Sequence, residues 1–344
     1  MQIGGSHIYG VSWDGTSSTV WTRTDASANF SDPVPYVLGA SSYGSPFDAI
    51  SPWKDMTIIE DPDAGTMVKI PKFWYKLTQN GNDMSIQITD SPTNGFSSCP
   101  ACMDRGDGRG ERDYILVGRY HCASTYKSTS NIIPIASKTR SAFRTGIQSL
   151  GNDIYMIDFA TRFTIWLLYL VEYANWDSQS TIGYGCGNGS SKGSSGYTDS
   201  MPYHTGTTQS SRTTYGLGTQ YRYIEGLWDN VTDFMDGCYY NESGLMLILN
   251  PSSFSDNANG INVGRPSSGW PKKFSVNAIA NIFPLFIPSG AGGSSSTYSC
   301  DAWIFNANYP CIFTGGPHAN EQVRGLFYIN CLAADKTGSG VGTS

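Results

Sequence analysis

Residues 221–240, YRYIEGLWDNVTDFMDGCYY, constrain the fold more than any other stretch, because aromatic, β-branched and turn-forming side chains are packed there most densely. Gly226 and the pair Asp229-Asn230 are turn formers on either side of Leu227 and Trp228. Val231 to Met235 then has the composition of a short strand, and Asp236-Gly237 stops it. The prediction is a buried strand that the chain enters through a tight turn.

Other elements are legible by period. MVKIPKFWYKLT and MSIQITD alternate around Asn80-Gly81, the strongest short-range signal for a hairpin, with Pro71 placing the first run at an edge or bulge. The opening IYGVSWDGTSSTVWTRTDAS reads as a strand pair turning at Asp14-Gly15, and Tyr114 to Tyr120 reads as a further strand. Residues 137–150 are compatible with a helix stopped by Gly151-Asn152. The clearest helix follows Asp158, a good N-cap, with Phe159, Phe163, Trp166, Leu167, Leu170 and Tyr173 at three- and four-residue steps. Glu172 lies in that apolar run, and a carboxylate there needs a partner; a hydrogen bond from helix to loop is the expected one. Residues 244–249 form an apolar run of strand length, 274–286 fit either strand or loop, and 183–218 and 289–299 read as loops.

Composition excludes some functions. Charged residues are 15% of the 344, the net charge is −6 and the basic residues do not cluster, so no nucleic-acid face is expected. Thirty-nine glycines and 21 tyrosines, with much Ser and Asn, suit a loop-rich chain with an adaptable binding surface. The start MQIGGSHIYG has no secretory-signal pattern, and FTIWLLYLV is too short to span a bilayer, so a soluble protein made in a cytoplasm is expected, without membrane partners. The eight cysteines are irregularly spaced and read as free, buried thiols. Cys99-Pro-Ala-Cys102 is a lone pair without histidines at zinc-binding spacing, so neither a metal nor a cofactor is expected.

GLWDNVTDFMDG resembles the GNVWEW-type signature of formylglycine-generating-enzyme-like domains, a branch of the C-type lectin fold found in many phage tail proteins. MVKIPKFWYK followed by ILVGRYHCAS matches the order of two phrases in that family, and WLLYLVEYANWDSQSTIGYGCG resembles its second helix and following loop. The resemblance implies an α+β class: a loop-rich C-type lectin fold of the formylglycine-generating-enzyme-like type over 61–344. Residues 1–60, whose GVSWDG…WTRTDAS…SPFD…PW is similar to the N-terminal regions of such tail proteins, would be a short β-rich attachment segment.

The last segment carries the functional expectation. Gly315-Gly316 and Gly325-Leu326-Phe327 form a skeleton, because glycines permit tight turns while Leu326 and Phe327 can enter a core. Gly-Gly followed nine residues later by GLFY.N is similar to the C-terminal variable region of proteins diversified by diversity-generating retroelements. That resemblance implies a variable region over about 300–331, held on a scaffold that includes Trp228, Asn230, Gly315, Gly316, Gly325 and Leu326. It makes Ala302, Phe305, Asn306, Asn308, Tyr309, Cys311, Pro317, His318, Asn320, Glu321, Val323, Arg324, Asn330 and Cys331 the ligand-facing positions. The implied function is a tail adhesin of the virion tip or fibre, made in the bacterial host cytoplasm. Its partners would be a bacterial surface receptor, protein or glycan, and other tail proteins. Tail adhesins are often homotrimers, although no coiled-coil heptad is present here.

The alternative is a glycan-modifying or depolymerising enzyme of the same fold. The copper-holding Cys-x4-Cys of formylglycine-generating enzymes is absent, since only Cys331 follows Gly316. HExxH, GxSxG and Walker loops are absent too, as are the EPN and QPD phrases of calcium-dependent lectins. Asp229 and Asp233 could form a carboxylate dyad or bind calcium, but turn and strand-end roles fit their surroundings better, so catalytic residues are not expected.

Overall fold

The computed structural model describes residues 7–185, 193–208, 218–277, 279, 282–316 and 324–331, and the backbone of 341–342. β1 (Tyr9–Trp13) lies between β2 (Thr22–Asp25) and a strand far along the chain, because Val11 and Trp13 point into the core while Ser12 pairs on the outer face. β3 (Thr57–Asp61) and β4 (Gly65–Pro71) are antiparallel. The run expected as one strand breaks at Pro71, which has no N–H to donate. Lys72 and Phe73 then carry the chain into β5 (Trp74–Asn80), a strand of a different sheet. β5 turns into β6 (Asp83–Thr89) through Gly81 at φ +64°, the left-handed region open to glycine, one residue later than Asn80-Gly81 suggested. With β7 (Ser97–Ser98) the order is β2-β1-β6-β5-β7, and β8 (Tyr114–Gly118) completes β3-β4-β8.

Three α-helices follow among the described residues. In α1 (Arg140–Gln148) the Thr139 hydroxyl accepts from Ala142 N at 3.1 Å. In α2 (Phe159–Tyr173) Asp158 accepts from Thr161 N at 2.8 Å, and Ala174 ends the helix at φ +49°. α3 (Ser178–Thr181) is a single turn. The period of α2 suggested a wide apolar face; in fact fourteen of its fifteen residues are buried, as a helix apolar on nearly every side requires.

The rest is sheet. β9 (Gly206–Thr207), β10 (Thr219–Tyr221) and β11 (Ile224–Glu225) form one, ordered β11-β10-β9. β12 (Thr232–Met235) is the strand expected within 231–235 and ends at Gly237, φ +65°. β13 (Cys238–Asn241), β14 (Gly244–Leu247) and β15 (Ile261–Gly264) make a meander, and β16 (Pro271–Asn277) pairs with β17 (Leu285–Ala291). β18 (Trp303–Ile304), β19 (Ile312–Thr314), β20 (Ile329–Asn330) and β21 (Val341–Gly342) join β12 in the order β18-β20-β19-β12-β21.

The expected class is corrected. It is β-rich, not α+β of lectin type: strand accounts for 33% and helix for 13%, spread over several small, mostly antiparallel sheets with no closed barrel among the described residues. The cause is that ambiguous residues, 274–277 and 285–286 among them, resolve as strands, while the only long helix among the described residues is enclosed by sheets and loops. Residues on either side of position 60 share sheets. β1 pairs along its whole length with β6, and Trp13 meets Trp176 and Phe274 at ring-centroid distances of 5.7 and 6.1 Å.

Residues 221–240 close over α2 through charge as well as packing. Arg162 on α2 donates to Asp233 at 2.6 Å and to Leu227 O at 2.8 Å. Glu172, one helical end away, takes Arg222 in the turn after β10 as an ion-pair partner, with Arg222 Nε donating to it at 3.0 Å, and also accepts from Tyr221 Oη on β10 at 3.0 Å. Both pairs are shut off from solvent. Because a buried ion left alone costs far more than an ion pair removed whole, Glu172→Ala should destabilise by about 3–5 kcal/mol in urea unfolding. Glu172→Met with Arg222→Met should cost less than Glu172→Ala; equal costs would mean that the pair is not coupled.

Candidate functional site

The C-terminal sheet is anchored from three sides. Asp301, buried just before β18, accepts from the backbone N–H groups of Gly325 and Phe327, the latter at 2.9 Å. Burial pushes its carboxyl well above the usual carboxylate range, with those two N–H groups pulling the other way. Ser178 on α3 accepts from Leu326 N at 2.9 Å, and Trp166 on α2 donates its indole N–H to Leu326 O at 2.9 Å. The backbone at Gly325 is pressed so closely that an added Cβ would stand 2.7 Å from both Asp301 and Ser178. At the other glycine pair, Gly315 has φ +66° and a Cβ there would meet Leu227 O at 3.1 Å. Trp228 donates to Gly183 O at 3.0 Å, while Asn230, at φ +63°, exchanges two hydrogen bonds with the backbone of Gly193. All six scaffold residues, Gly316 and Leu326 included, are buried.

On this frame the sequence-predicted ligand positions separate. β18 runs parallel to β20 and β19 antiparallel to it. The connection 305–311 therefore leaves one end of the sheet beside 330–331, whereas 302, 315–316 and 324 lie at the opposite end. At the first end Asn308 is exposed, and Phe305, Asn306, Tyr309 and Asn330 are half-buried. An Asx turn shapes the tip: Asn306 Oδ1 accepts from Asn308 N at 3.0 Å and Asn306 O from Tyr309 N at 3.0 Å. At the second end half-buried Arg324 lies over the Tyr328 ring, 5.0 Å from its centroid. Pro317, His318, Asn320, Glu321 and Val323 fall outside the described residues.

Ala302, Cys311 and Cys331 are corrected, being buried rather than ligand-facing. Ala302 lies against the core as its carbonyl accepts from Ile329 N at 3.1 Å. Cys311 packs in the satellite core with Phe143, Phe234 and Phe313. The Cys331 thiol accepts from Asn306 N at 3.0 Å and donates to Ile304 O at 3.3 Å, so it anchors the tip from beneath. Two supports were not foreseen. Ser268 Oγ accepts from Phe305 N at 3.1 Å, and the Tyr240 ring meets Phe305 at 4.7 Å. The seven described cysteines are all buried, and no cluster of metal-ligating residues is present among the described residues.

Asp229 and Asp233 are enclosed as well. Asp229 accepts from Thr219 N at 2.6 Å and from its hydroxyl at 3.0 Å, while Asp233 serves Arg162 and stands 3.4 Å from His121 Nε2. Burial pushes the Asp229 carboxyl up to about 7, against the pull of Thr219 and His121. Burial opposes charge on His121, but Asp233, Asp229 and Glu225 outweigh it and raise its pKa. Among the described residues, no helix is long and apolar enough to cross a membrane. No family model matches the chain, and a search of curated proteins returns no similar sequence.

Two outcomes are expected. Gly325→Ala should lower stability by at least about 2 kcal/mol, because backbone and buried partners must shift, whereas Asn308→Ala at the exposed tip should stay within about 0.5 kcal/mol; urea midpoints compare them. Asp229, pushed up to about 7, keeps in the folded chain a proton that the unfolded chain releases near pH 4, so its contribution is complete below about pH 4 and is lost as pH rises to about 7, at about 1.4 kcal/mol per pH unit for one full proton. The contribution of His121, raised from the ordinary imidazole value of about 6.5, is complete below that value and is lost only above it. Asp229→Asn should flatten this fall in unfolding free energy measured from pH 5 to 8.

Proposed function

We propose that this chain is a receptor-binding component of a bacteriophage tail, which recognises a bacterial surface molecule through the exposed tips of its C-terminal segment. The observation that carries the reading is the contrast within 303–314. Asn308 is exposed and Asn306 and Tyr309 are half-buried, while the residues flanking them, Trp303 and Ile312 to Thr314, are buried and strand-paired. Such a tip can exchange side chains at little packing cost, which is what diversification of the gene's end by a retroelement needs. Asn and Tyr also supply adaptable hydrogen bonds and rigid contact area at low entropic cost. Several copies on one virion, as a trimer or on several fibres, would raise weak single contacts to useful avidity.

Asp229 and Asp233 do not offer a glycan-cleaving alternative its carboxylate pair. Asp229 and Asp233 are both fully buried, and each is engaged by its own neighbours, so a sugar ring cannot lie between them.

The test is adsorption of purified protein to host cells. Asn306→Ala, Asn308→Ala and Tyr309→Ala combined should reduce binding at least tenfold with the thermal midpoint within a few degrees of wild type. Undiminished binding by a folded triple variant would contradict the assignment of this tip. Genes from sister isolates should differ most in the codons for 305–309 and 317–324, and least in those for 311–316 and 325–329.

A further inference from the structure

A cleft of about 420 Å³, with no residue of the C-terminal tip in its lining, opens between β8, the end of α1, the segment 149–158 and the loop 101–112. Its size is that of a small-molecule site. One wall is aliphatic, built from Ile115, Val117, Ile147, Leu150 and Ile154. The other is the sequence RGDGRGER, in which Gly106, Gly108 and Gly110 all take positive φ and so fold Arg105, Arg109 and Arg112 onto the same cavity.

The pairing of these arginines is uneven. Arg109 meets Asp153 where both are widely exposed, at the rim, and Arg112 is held by Asp107. Arg105 is the deep one, its side chain 7% exposed. It reaches the Asp158 carboxylate through a single nitrogen, and Asp158 spends its other oxygen capping α2 at Thr161 N. The Nε of Arg105 is buried without a hydrogen-bond partner among the described residues, and the guanidinium lies over the Phe254 ring, 5.8 Å from its centroid. A guanidinium carries five donors in a fork suited to carboxylate, so the unmet polar capacity in this cleft is donor capacity beside an aliphatic wall. A buried donor left unmatched is costly, and a ligand acceptor would relieve that cost.

We propose that this cleft binds a small amphipathic carboxylate, with its headgroup at Arg105 and its aliphatic body against Ile115, Val117 and Ile154. The site is separate from the C-terminal tip, so it stands or falls independently of the adhesin reading.

Decanoate is the probe, with decanol and decylamine as neutral and cationic controls of equal chain length. Calorimetric titration of the full chain should show saturable decanoate binding near one per chain and a raised thermal midpoint, with at least tenfold weaker binding of both controls. Arg105→Lys keeps the charge opposite Asp158 but loses the fork, and should weaken decanoate at least tenfold. Ile154→Trp fills the cleft from a half-buried position without touching the arginines, and should abolish binding. Absence of saturable decanoate binding to wild type, equal binding of decylamine, or full binding by folded Ile154→Trp would each overturn the proposal.

Discussion

The structure depends on how one enclosed helix disposes of its two charges. α2 is surrounded on nearly every side, yet it carries Arg162 and Glu172, and neither ion could remain there alone. Both partners come from residues 221–240: Asp233 for Arg162, and Arg222 for Glu172. The segment is thereby fixed at two points along the helix, and β12 is placed as a central strand of the C-terminal sheet. Arg222 also reaches Asp48 at 2.8 Å, which brings the N-terminal part of the chain into the same network. Charge specifies the seating of these elements, and aromatic packing supplies the bulk of the buried surface.

That seating extends to the end of the chain. Trp166 projects from α2 to Leu326 O, and its ring lies 5.8 Å from Trp303 and 5.6 Å from Phe327. Asp301 and Ser178 hold the neighbouring amides, so Gly325 to Phe327 are bound through main chain and core together. Of the side chains at 306–309, Ala307 packs against the core, while Asn306, Asn308 and Tyr309 take almost no part in this. Their conformation comes from an Asx turn and from the Cys331 thiol below, so frame and tip are separate in what stabilises them.

Much of this was legible locally. The β5–β6 hairpin announces itself by strict alternation around a glycine turn, and α2 by period and the Asp158 cap; Gly325 and Leu326 stood out because glycine and an apolar pair mark close approach. The class was not legible, since strands of two or three residues such as Trp303–Ile304 and Ile329–Asn330 carry no periodic signal and exist only through partners far along the chain. Burial of Ala302, Cys311 and Cys331 was misread for a related reason. Small side chains pack inside or outside equally well, and only tertiary contacts decide. Ser268 and Tyr240 are joined to Phe305 by the fold alone.

Amide hydrogen exchange tests the separation of frame from tip most directly. The account predicts that the amides of Gly325, Leu326 and Phe327 exchange only with global unfolding, at the same free energy as the interior of α2, while those of Asn308 and Tyr309 exchange orders of magnitude faster. If 325–327 exchange as fast as 308–309, or if the tip is protected as strongly as the helix, the frame and the tip are not distinct and the account is wrong.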